Sequence, residues 1–338
     1  MPNKELFNEL SMLTLSIIIP IYKVERYLRR CLDAIVHQSL LPYEVILVND
    51  GSPDNSGAIA KEYAEKYSFM RYVEQENQGL SAARNTGISL ATGDFVTFCD
   101  SDDYYETNFC EEISKTIRDY AADLYQFAYR EIGLRHMMIS SGRIPTGEIH
   151  IHTQEEILSG QAEYNGMMVW RFIFRMDIIR KYQLIFPVGV IGVEDENFCL
   201  RYFRYTNKMI YLDKSFYVYD RHEDSLTALS FGAYNPKAVA SFRQNALTLI
   251  NEWGADTPPL VRNRIEASLF SFTRSFLQLP RLTKVHLTAL RSGIKEIMDR
   301  AAAHGIRFKM ERRYEVMYYL FPLYRLAYKG KKRWQQWL

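Results

Sequence analysis

The stretch Phe95-Val96-Thr97-Phe98-Cys99-Asp100-Ser101-Asp102-Asp103 decides the fold class of this chain. Its apolar first half predicts a buried strand, and three carboxylates follow where that strand ends. Clustered carboxylates repel one another unless a cation lies among them, and hard divalent cations prefer oxygen ligands. The stretch therefore predicts a sheet edge that binds a metal ion or a nucleotide.

Two simpler explanations account for these aspartates less well. A cap for the helix predicted from Thr107 would use one of them but not all three. A calcium loop of the helix-loop-helix type needs glycine at its sixth position, where counting from Asp100 places Tyr105. Metal or nucleotide binding accounts for the whole cluster.

A second acidic strand end lies upstream, in Val45-Ile46-Leu47-Val48-Asn49-Asp50-Gly51-Ser52. Asp50 could accept hydrogen bonds from a base or ribose, although an ordinary turn before a helix cap explains it equally well. Two acidic strand ends in an open α/β sheet indicate a crevice that holds a nucleotide and a metal together. Between them, Asn77–Gly87 predicts a helix on which Arg84 can bind phosphate or lock an aspartate.

Strands and helices alternate along the first part of the chain. The predicted strands are Leu15–Ile21, Glu44–Asn49, Met70–Glu74 and Phe95–Cys99. The predicted helices are Glu25–Gln38, Ser56–Tyr67, Leu80–Ala91 and Thr107–Tyr120. Nearly continuous β-branched strands between amphipathic helices predict an α/β fold, with a mostly parallel sheet and helices on both faces.

The rest of the chain predicts further strands and then a helical region. Strands are expected at Leu124–Tyr129, Val169–Phe174, Met209–Leu212 and Phe216–Tyr219. Gly133–Gly166 is predicted as loop, with one helix near Thr153–Leu158. The later predicted helices are Pro236–Trp253, Pro258–Leu279, Leu282–Ala303 and Glu311–Lys329. We therefore expect an α/β domain over residues 1–230 and a helical region over residues 231–338.

The bulk composition is that of a globular protein, with 47% hydrophobic and 24% charged residues among 338. A formal net charge of +2 gives no indication of nucleic-acid binding. The 4 cysteines show no paired spacing, which predicts free thiols in a reducing cytoplasm. We expect neither a secretory signal nor a membrane-spanning helix.

Two further polar segments are candidates for the same chemistry. Glu194-Asp195-Glu196 predicts the first turn of a helix, where the helix dipole favours acids, but a carboxylate there could also be a general base. His222 lies in a polar loop after the last predicted strand, so it is either a surface residue or a ligand. The residues alone leave both choices open.

Taken in order, these motifs resemble the family 2 glycosyltransferases, which have the GT-A fold. The resemblance covers Leu15 to Thr227 and rests on Ile19-Pro20-Ile21-Tyr22, Val48–Ser52, Asn77–Gly87, Asp100–Asp103 and Glu194-Asp195. It implies a GT-A catalytic domain over residues 1–230. It also implies transfer of a sugar from a nucleotide-sugar, expected to be a UDP-sugar, to a saccharide or lipid-linked acceptor in cell-surface polysaccharide synthesis.

The resemblance assigns roles to individual residues. The implied nucleotide-binding residues are Pro20, Tyr22, Asp50, Arg84, Asp100 and Asp102. The implied ligands of Mn²⁺ or Mg²⁺ are Asp102, in the D-x-D motif of the family, and His222. Asp195 matches the catalytic base of an inverting transfer. The implied donor and acceptor pocket includes Trp170, Arg171 and Glu194, although many relatives have Asn where Arg171 stands.

The C-terminal stretch from Phe308 to Leu338 interleaves Lys and Arg with Tyr and Trp. This composition suits the headgroup layer of an anionic bilayer, so we expect peripheral attachment to the inner face of the cell membrane. A solvated helix or a subunit contact, giving a homo-oligomer, is the alternative.

Two other functions stay open. A nucleotidyltransferase also binds a metal through paired acids, but it usually has a Gly-rich phosphate loop where Tyr22-Lys23-Val24-Glu25 stands. An inactive module that binds sugars or nucleotides would not need the acids of all three clusters.

Overall fold

The computed structural model describes residues 14–133, 138–139, 145–162, 167–222, 235–276, 279, 283–308, 319 and 321. The chain forms two compact units. The first comprises the described residues within Met1–Ile157, Ala162–Gly189 and Phe198–Glu223. The second comprises those within Leu158–Gln161, Val190–Asn197 and Asp224–Leu338.

In the described part of the chain, the first unit contains a 10-stranded mixed sheet. Its strands are β1 (Leu15–Ile21), β2 (Glu44–Asn49), β3 (Met70–Glu74), β4 (Phe95–Phe98), β5 (Tyr104–Tyr105), β6 (Leu124–Ile132), β7 (Met138–Ile139), β8 (Ile149–Thr153), β9 (Phe172–Arg175) and β10 (Lys208–Asp220). The helices up to residue 203 are α1 (Leu28–Val36), α2 (Ser56–Lys66), α3 (Leu80–Leu90), α4 (Phe109–Asp119), α5 (Gln154–Ser159), α6 (Met176–Tyr182) and α7 (Glu194–Phe203).

The strand order along the sheet is β3-β2-β1-β4-β9-β6-β10-β5, while β7 pairs with β6 and β8 with β10. The first four strands are parallel neighbours, and β9 lies antiparallel between β4 and β6. β1 is buried along its whole length, as a central strand covered on both faces must be. The predicted α/β fold is confirmed, and the carboxyl ends of β2 and β4 lie at one edge of the sheet.

Several element bounds differ from the prediction. α1 begins at Leu28 rather than Glu25, because the Tyr27 and Leu28 amides both donate to the Val24 carbonyl at 2.9 Å and form a turn first. The strand predicted over Val169–Phe174 begins as a 3₁₀ turn and becomes extended only from Phe172.

The two strands predicted at Met209–Leu212 and Phe216–Tyr219 are one strand, β10. Its register against β6 shifts on either side of Ser215, so a bulge absorbs the polar residues that resemble a turn. β8 lies inside the segment predicted as loop and pairs antiparallel with β10. Its alternating exposure is that of an edge strand with one covered face.

The second unit is helical where it is described. Its helices are α8 (Pro236–Trp253), a 3₁₀ turn (Gly254–Asp256), α9 (Pro259–Ser275) and α10 (Lys284–Ala303). Asn235 caps α8 by accepting hydrogen bonds from the Lys237 and Ala238 amides. α10 packs closely on α9, since a Cβ added to Gly293 would lie 2.3 Å from Cζ of Phe272.

The predicted helix Glu311–Lys329 and the basic aromatic tail lie outside the described residues, apart from Tyr319 and Phe321. Among the described residues, no helix is long and apolar enough to cross a membrane.

Candidate active site

Asp50 follows β2 and fixes the turn that leads into α3. Its Oδ1 accepts hydrogen bonds from Gln75 Nε2 at 2.7 Å and from the Gln78 amide at 2.9 Å. Its Oδ2 accepts one from the Gly79 amide at 2.8 Å. Gly51 has φ +64°, a conformation that glycine adopts without strain. The carboxylate thus organises this edge of the sheet, and its contact with a base or ribose stays a prediction.

Arg84 extends from α3 toward the end of β4. Its side chain is 1% exposed, and its Nη2 lies 2.9 Å from Oδ1 of Asp100. The guanidinium also lies over the ring of Phe186, with its Cζ 5.3 Å from the ring centroid. A buried cation beside a partly exposed carboxylate holds that carboxylate in one orientation. The sequence left open whether Arg84 binds phosphate or an aspartate. In the structure its guanidinium contacts Asp100.

Asp102 and His222 meet at the same edge of the sheet. The distance from His222 Nε2 to Asp102 Oδ2 is 2.9 Å. The imidazole stacks on Tyr27, with ring centroids 4.2 Å apart and an interplanar angle of 22°. Arg30 donates to the Asp102 carbonyl at 2.6 Å and pairs with Asp220. Tyr27, which precedes α1, and Arg30 within it therefore contact the two predicted metal ligands.

Asp103 has a different environment from its two neighbours. It is 1% exposed, and its carboxyl accepts hydrogen bonds from the Tyr217 hydroxyl and the Asp220 amide, each at 2.8 Å. Burial raises the pKa of Asp103 well above its usual value, and the charges of Asp102 and Asp100 raise it further. Asp103 therefore connects the end of β10 to the Asp100–Asp103 stretch. Sequence reasoning missed this role, because its partners lie more than 100 residues away in the chain.

The side chains at this edge of the sheet supply only part of the ligands that a divalent cation needs. Among the described residues, no group of three His, Cys, Asp or Glu side chains is arranged to hold a metal ion. Mg²⁺ commonly takes one or two carboxylates from the protein and the remaining oxygens from phosphates and water. The paired Asp102 and His222 side chains match this small number of protein ligands.

The other predicted pocket residues of the first unit lie in different settings. Pro20 is buried within β1, whereas the Tyr22 side chain is exposed. Trp170 is buried and stacks on Tyr217, with ring centroids 4.2 Å apart. Arg171 is buried as well, and its Nε donates to the Phe127 carbonyl at 3.2 Å. Burial lowers the pKa of Arg171. The roles of these residues toward donor and acceptor stay predictions.

The acidic residues Glu194, Asp195 and Glu196 form the first turn of α7 and belong to the second unit. All three side chains are partly exposed. Burial raises the pKa of Glu196, an effect that Arg264 and a hydrogen bond from Asn245 oppose. The turn thus has the helical position that the sequence predicts, and its proposed catalytic role is untested.

Comparisons with known proteins point to one family. The family described as Glycosyl transferase family 2 matches residues 16–182. The chain is 36% identical to the glycosyltransferase GlyA of Streptococcus pneumoniae over 63% of its length, but it spans only 31% of GlyA. It is 30% identical to EpsJ of Bacillus subtilis, an uncharacterized glycosyltransferase, over 71% of this chain and 70% of EpsJ.

A solved structure shares the fold. TarS 1–349 of S. aureus, crystallised in complex with UDP-GlcNAc, superposes with a TM-score of 0.65. The match covers 86% of this chain and 83% of that chain at 22% identity. The family match lies on the strands and helices that carry the strand-end carboxylates, and EpsJ resembles the chain over most of both lengths. The protein therefore belongs to glycosyltransferase family 2.

Proposed function

We propose that this glycosyltransferase takes a sugar from a UDP-sugar and transfers it, with inversion, to a saccharide or lipid-linked acceptor in cell-surface polysaccharide synthesis. The observation that carries the proposal is the strand-end cluster, defined as Asp100, Asp102 and Asp103 with their partners Arg84 and His222. Its groups converge where a doubly wound sheet binds nucleotides. The catalytic domain in this proposal extends over residues 1–230.

The donor proposal rests on the chemistry of that edge. In this proposal Asp50 and Asp100 accept hydrogen bonds from the hydroxyl and amide groups of a ribose and a uracil, and Pro20 and Tyr22 line the base pocket. TarS, which shares the fold, was solved with UDP-GlcNAc and with UDP. A uridine nucleotide is therefore the first ligand to test.

A divalent cation, Mn²⁺ or Mg²⁺, would be held by Asp102 and His222. Such an ion neutralises the charge that builds on a departing diphosphate. Arg84 contributes positive charge at the same edge, while Tyr27 and Arg30 keep the two ligands in place. A diphosphate leaving group needs this compensation, because an unsolvated anion is costly in a pocket that excludes water.

Asp195 is the proposed general base. Its carboxylate takes the proton of the acceptor hydroxyl while that oxygen bonds to the anomeric carbon of the donor. The bond from the anomeric carbon to the diphosphate oxygen breaks in the same displacement, and the electron pair leaves with UDP. Attack opposite the leaving group inverts the anomeric centre. Glu194, Trp170 and Arg171 are the proposed residues near the sugar and acceptor.

The proposed lipid-linked acceptor and membrane location rest on the composition of the C-terminal stretch. Lys and Arg interleaved with Tyr and Trp from Phe308 to Leu338 would bind the headgroups of an anionic bilayer. A protein attached in this way to the inner face of the cell membrane would meet a lipid-linked acceptor directly. Loss of binding to anionic vesicles on truncation after Phe308 supports this proposal, and unchanged binding contradicts it.

The function is tested by measuring UDP release from a panel of UDP-sugars with Mn²⁺ and Mg²⁺. We expect release with at least one sugar, and its loss in Asp102→Ala and Asp195→Ala. Asp119→Ala is the matched control, because Asp119 is an exposed aspartate at the end of α4. No release with any donor, or full release by both variants, would contradict the proposal.

A further inference from the structure

Two polar side chains of α8 are buried without any role in the proposed sheet-edge chemistry. Ser241 and Asn245 lie one turn apart on the helix and are 2% and 1% exposed. Buried polar groups destabilise a protein unless they are hydrogen-bonded, so their partners indicate what they do.

Asn245 joins α8 both to the start of α7 and to α9. Its Oδ1 accepts a hydrogen bond from Asn197 Nδ2 at 2.9 Å. Its Nδ2 donates to Ser268 Oγ at 3.0 Å and to Glu196 Oε1 at 3.3 Å. One amide therefore connects two consecutive residues of α7 to α8 and α9.

Two further contacts hold the same segment. The Ile191 amide donates to Ser241 Oγ at 2.9 Å, and Arg264 NH1 lies 3.4 Å from Glu196 Oε2. Between them Gly192 has φ +80°, and nothing lies within 4 Å of the place that a Cβ would take. Glycine adopts this backbone conformation without strain, and the contacts from α8 and α9 hold the residues on either side of it.

We infer that Asn245 is a positioning residue, which fixes the first turn of α7 so that the Asp195 carboxylate keeps one orientation toward the acceptor hydroxyl. The inference rests on the proposed role of Asp195 as base. An amide suits this position, because it offers a donor to Glu196 and an acceptor to Asn197 without adding a charge beside the base. The helical unit would thereby contribute to catalysis and not only to stability.

The first test is the steady-state kinetics of Asn245→Ala. Misplacing a catalytic group by about 1 Å can cost about 10²-fold, so we expect kcat to fall about 10- to 100-fold. The KM for the donor and the affinity for UDP should stay within about twofold, since the change removes an interaction used in the transition state. An unchanged kcat, or an equal loss of UDP affinity, would overturn the inference.

A second pair of variants exchanges donor and acceptor. Asn245→Asp keeps the acceptor for Asn197 but places a carboxylate against Glu196, so kcat should again fall. Adding Glu196→Gln restores a donor and removes the like charge, and we expect it to recover about tenfold or more of the lost kcat. Failure of the double variant to exceed Asn245→Asp would count against positioning through this hydrogen bond.

The control is Thr273→Val on α9. Thr273 is fully buried, and its hydroxyl bonds to the Leu269 carbonyl of its own helix. It should lower thermal stability without changing kcat, whereas a fall in kcat equal to that of Asn245→Ala would mean that the effect is merely structural. Activity retained by Asp195→Ala would defeat the proposed base itself. If Asp195→Ala is inactive while Asn245→Ala keeps full activity, only the positioning role of Asn245 is contradicted.

Discussion

The strand-end cluster and the acidic turn of α7 each contain three carboxyl groups within four residues or fewer, yet they are held in different ways. At the strand end, Asp100 contacts the buried cation Arg84 and Asp102 contacts His222. At the turn, Glu196 lies 3.3 Å from the neutral amide of Asn245 and 3.4 Å from the Arg264 guanidinium.

The difference indicates what each group of acids can do. Cationic and imidazole partners stabilise ionised carboxylates that must remain negative, as metal and phosphate chemistry requires. At the turn, burial raises the pKa of Glu196 against the opposing effects of the Asn245 amide and Arg264, a setting that suits a segment where a proton is gained and lost. Changes in the two regions should therefore alter different measurements.

The largest effect is expected for Asp195→Ala. Removal of a general base typically costs about 10²–10⁴-fold, so kcat for transfer should fall by about that factor. UDP affinity should not change, because the proposed donor contacts lie in the first unit. Single-turnover transfer and UDP titration together test this prediction, and a variant that keeps most of its activity would move the base assignment to Glu194 or Glu196.

Asp102→Ala should come next, with a loss of transfer of about 10²–10³-fold. In contrast to the first variant, it should also weaken nucleotide binding in the presence of Mn²⁺. The same changes in transfer rate and in nucleotide affinity for Asp102→Ala and Asp195→Ala would contradict the proposed difference between the two regions.

Tyr27→Ala should have a smaller effect, again at the strand-end cluster. Partners that orient a metal ligand typically change metal affinity about 10- to 100-fold, and Tyr27 stacks on the imidazole of His222. The Mn²⁺ concentration for half-maximal activity, and the Mn²⁺ dissociation constant measured by electron paramagnetic resonance, should both rise accordingly. Tyr27→Phe keeps the ring and should remain near wild type; an equal defect in both variants would exclude stacking as the cause.

The smallest effect concerns stability at the acidic turn. Burial raises the pKa of Glu196 in the folded protein, so folding favours its protonated form. That contribution to the free energy of unfolding is complete below about pH 4, near the pKa of an unfolded glutamate, and is lost as pH rises through the folded pKa. Relative to Glu196→Gln, the free energy of unfolding of wild type should therefore fall as pH rises above about 4 in urea titrations; a free energy of unfolding that rises with pH relative to the variant would contradict the predicted sign.

Much of the first unit could be predicted from local patterns. The strands β1 to β4 and the helices between them are nearly continuous apolar or amphipathic segments with turn residues at their ends. The positions of Asp50 and of the Asp100–Asp103 stretch at strand ends follow from the same patterns. The family resemblance then joined motifs that periodicity alone leaves separate.

The remaining features depend on long-range contacts. Asp213-Lys214-Ser215 looks like a turn, but pairing with β6 and β8 draws it into β10 as a bulge. Nothing local shows that Trp170 stacks on Tyr217, or that Asp103 binds that tyrosine's hydroxyl. Asn245 likewise reads as one polar residue in an amphipathic helix until its partners on α7 and α9 are known.

The most direct test of the account is calorimetric titration of UDP into wild type and Asp102→Ala, each with and without Mn²⁺. Mn²⁺ should tighten UDP binding about tenfold or more in wild type and have no effect in Asp102→Ala. Equal UDP affinity in all four titrations, or an undiminished Mn²⁺ effect in the variant, would contradict it.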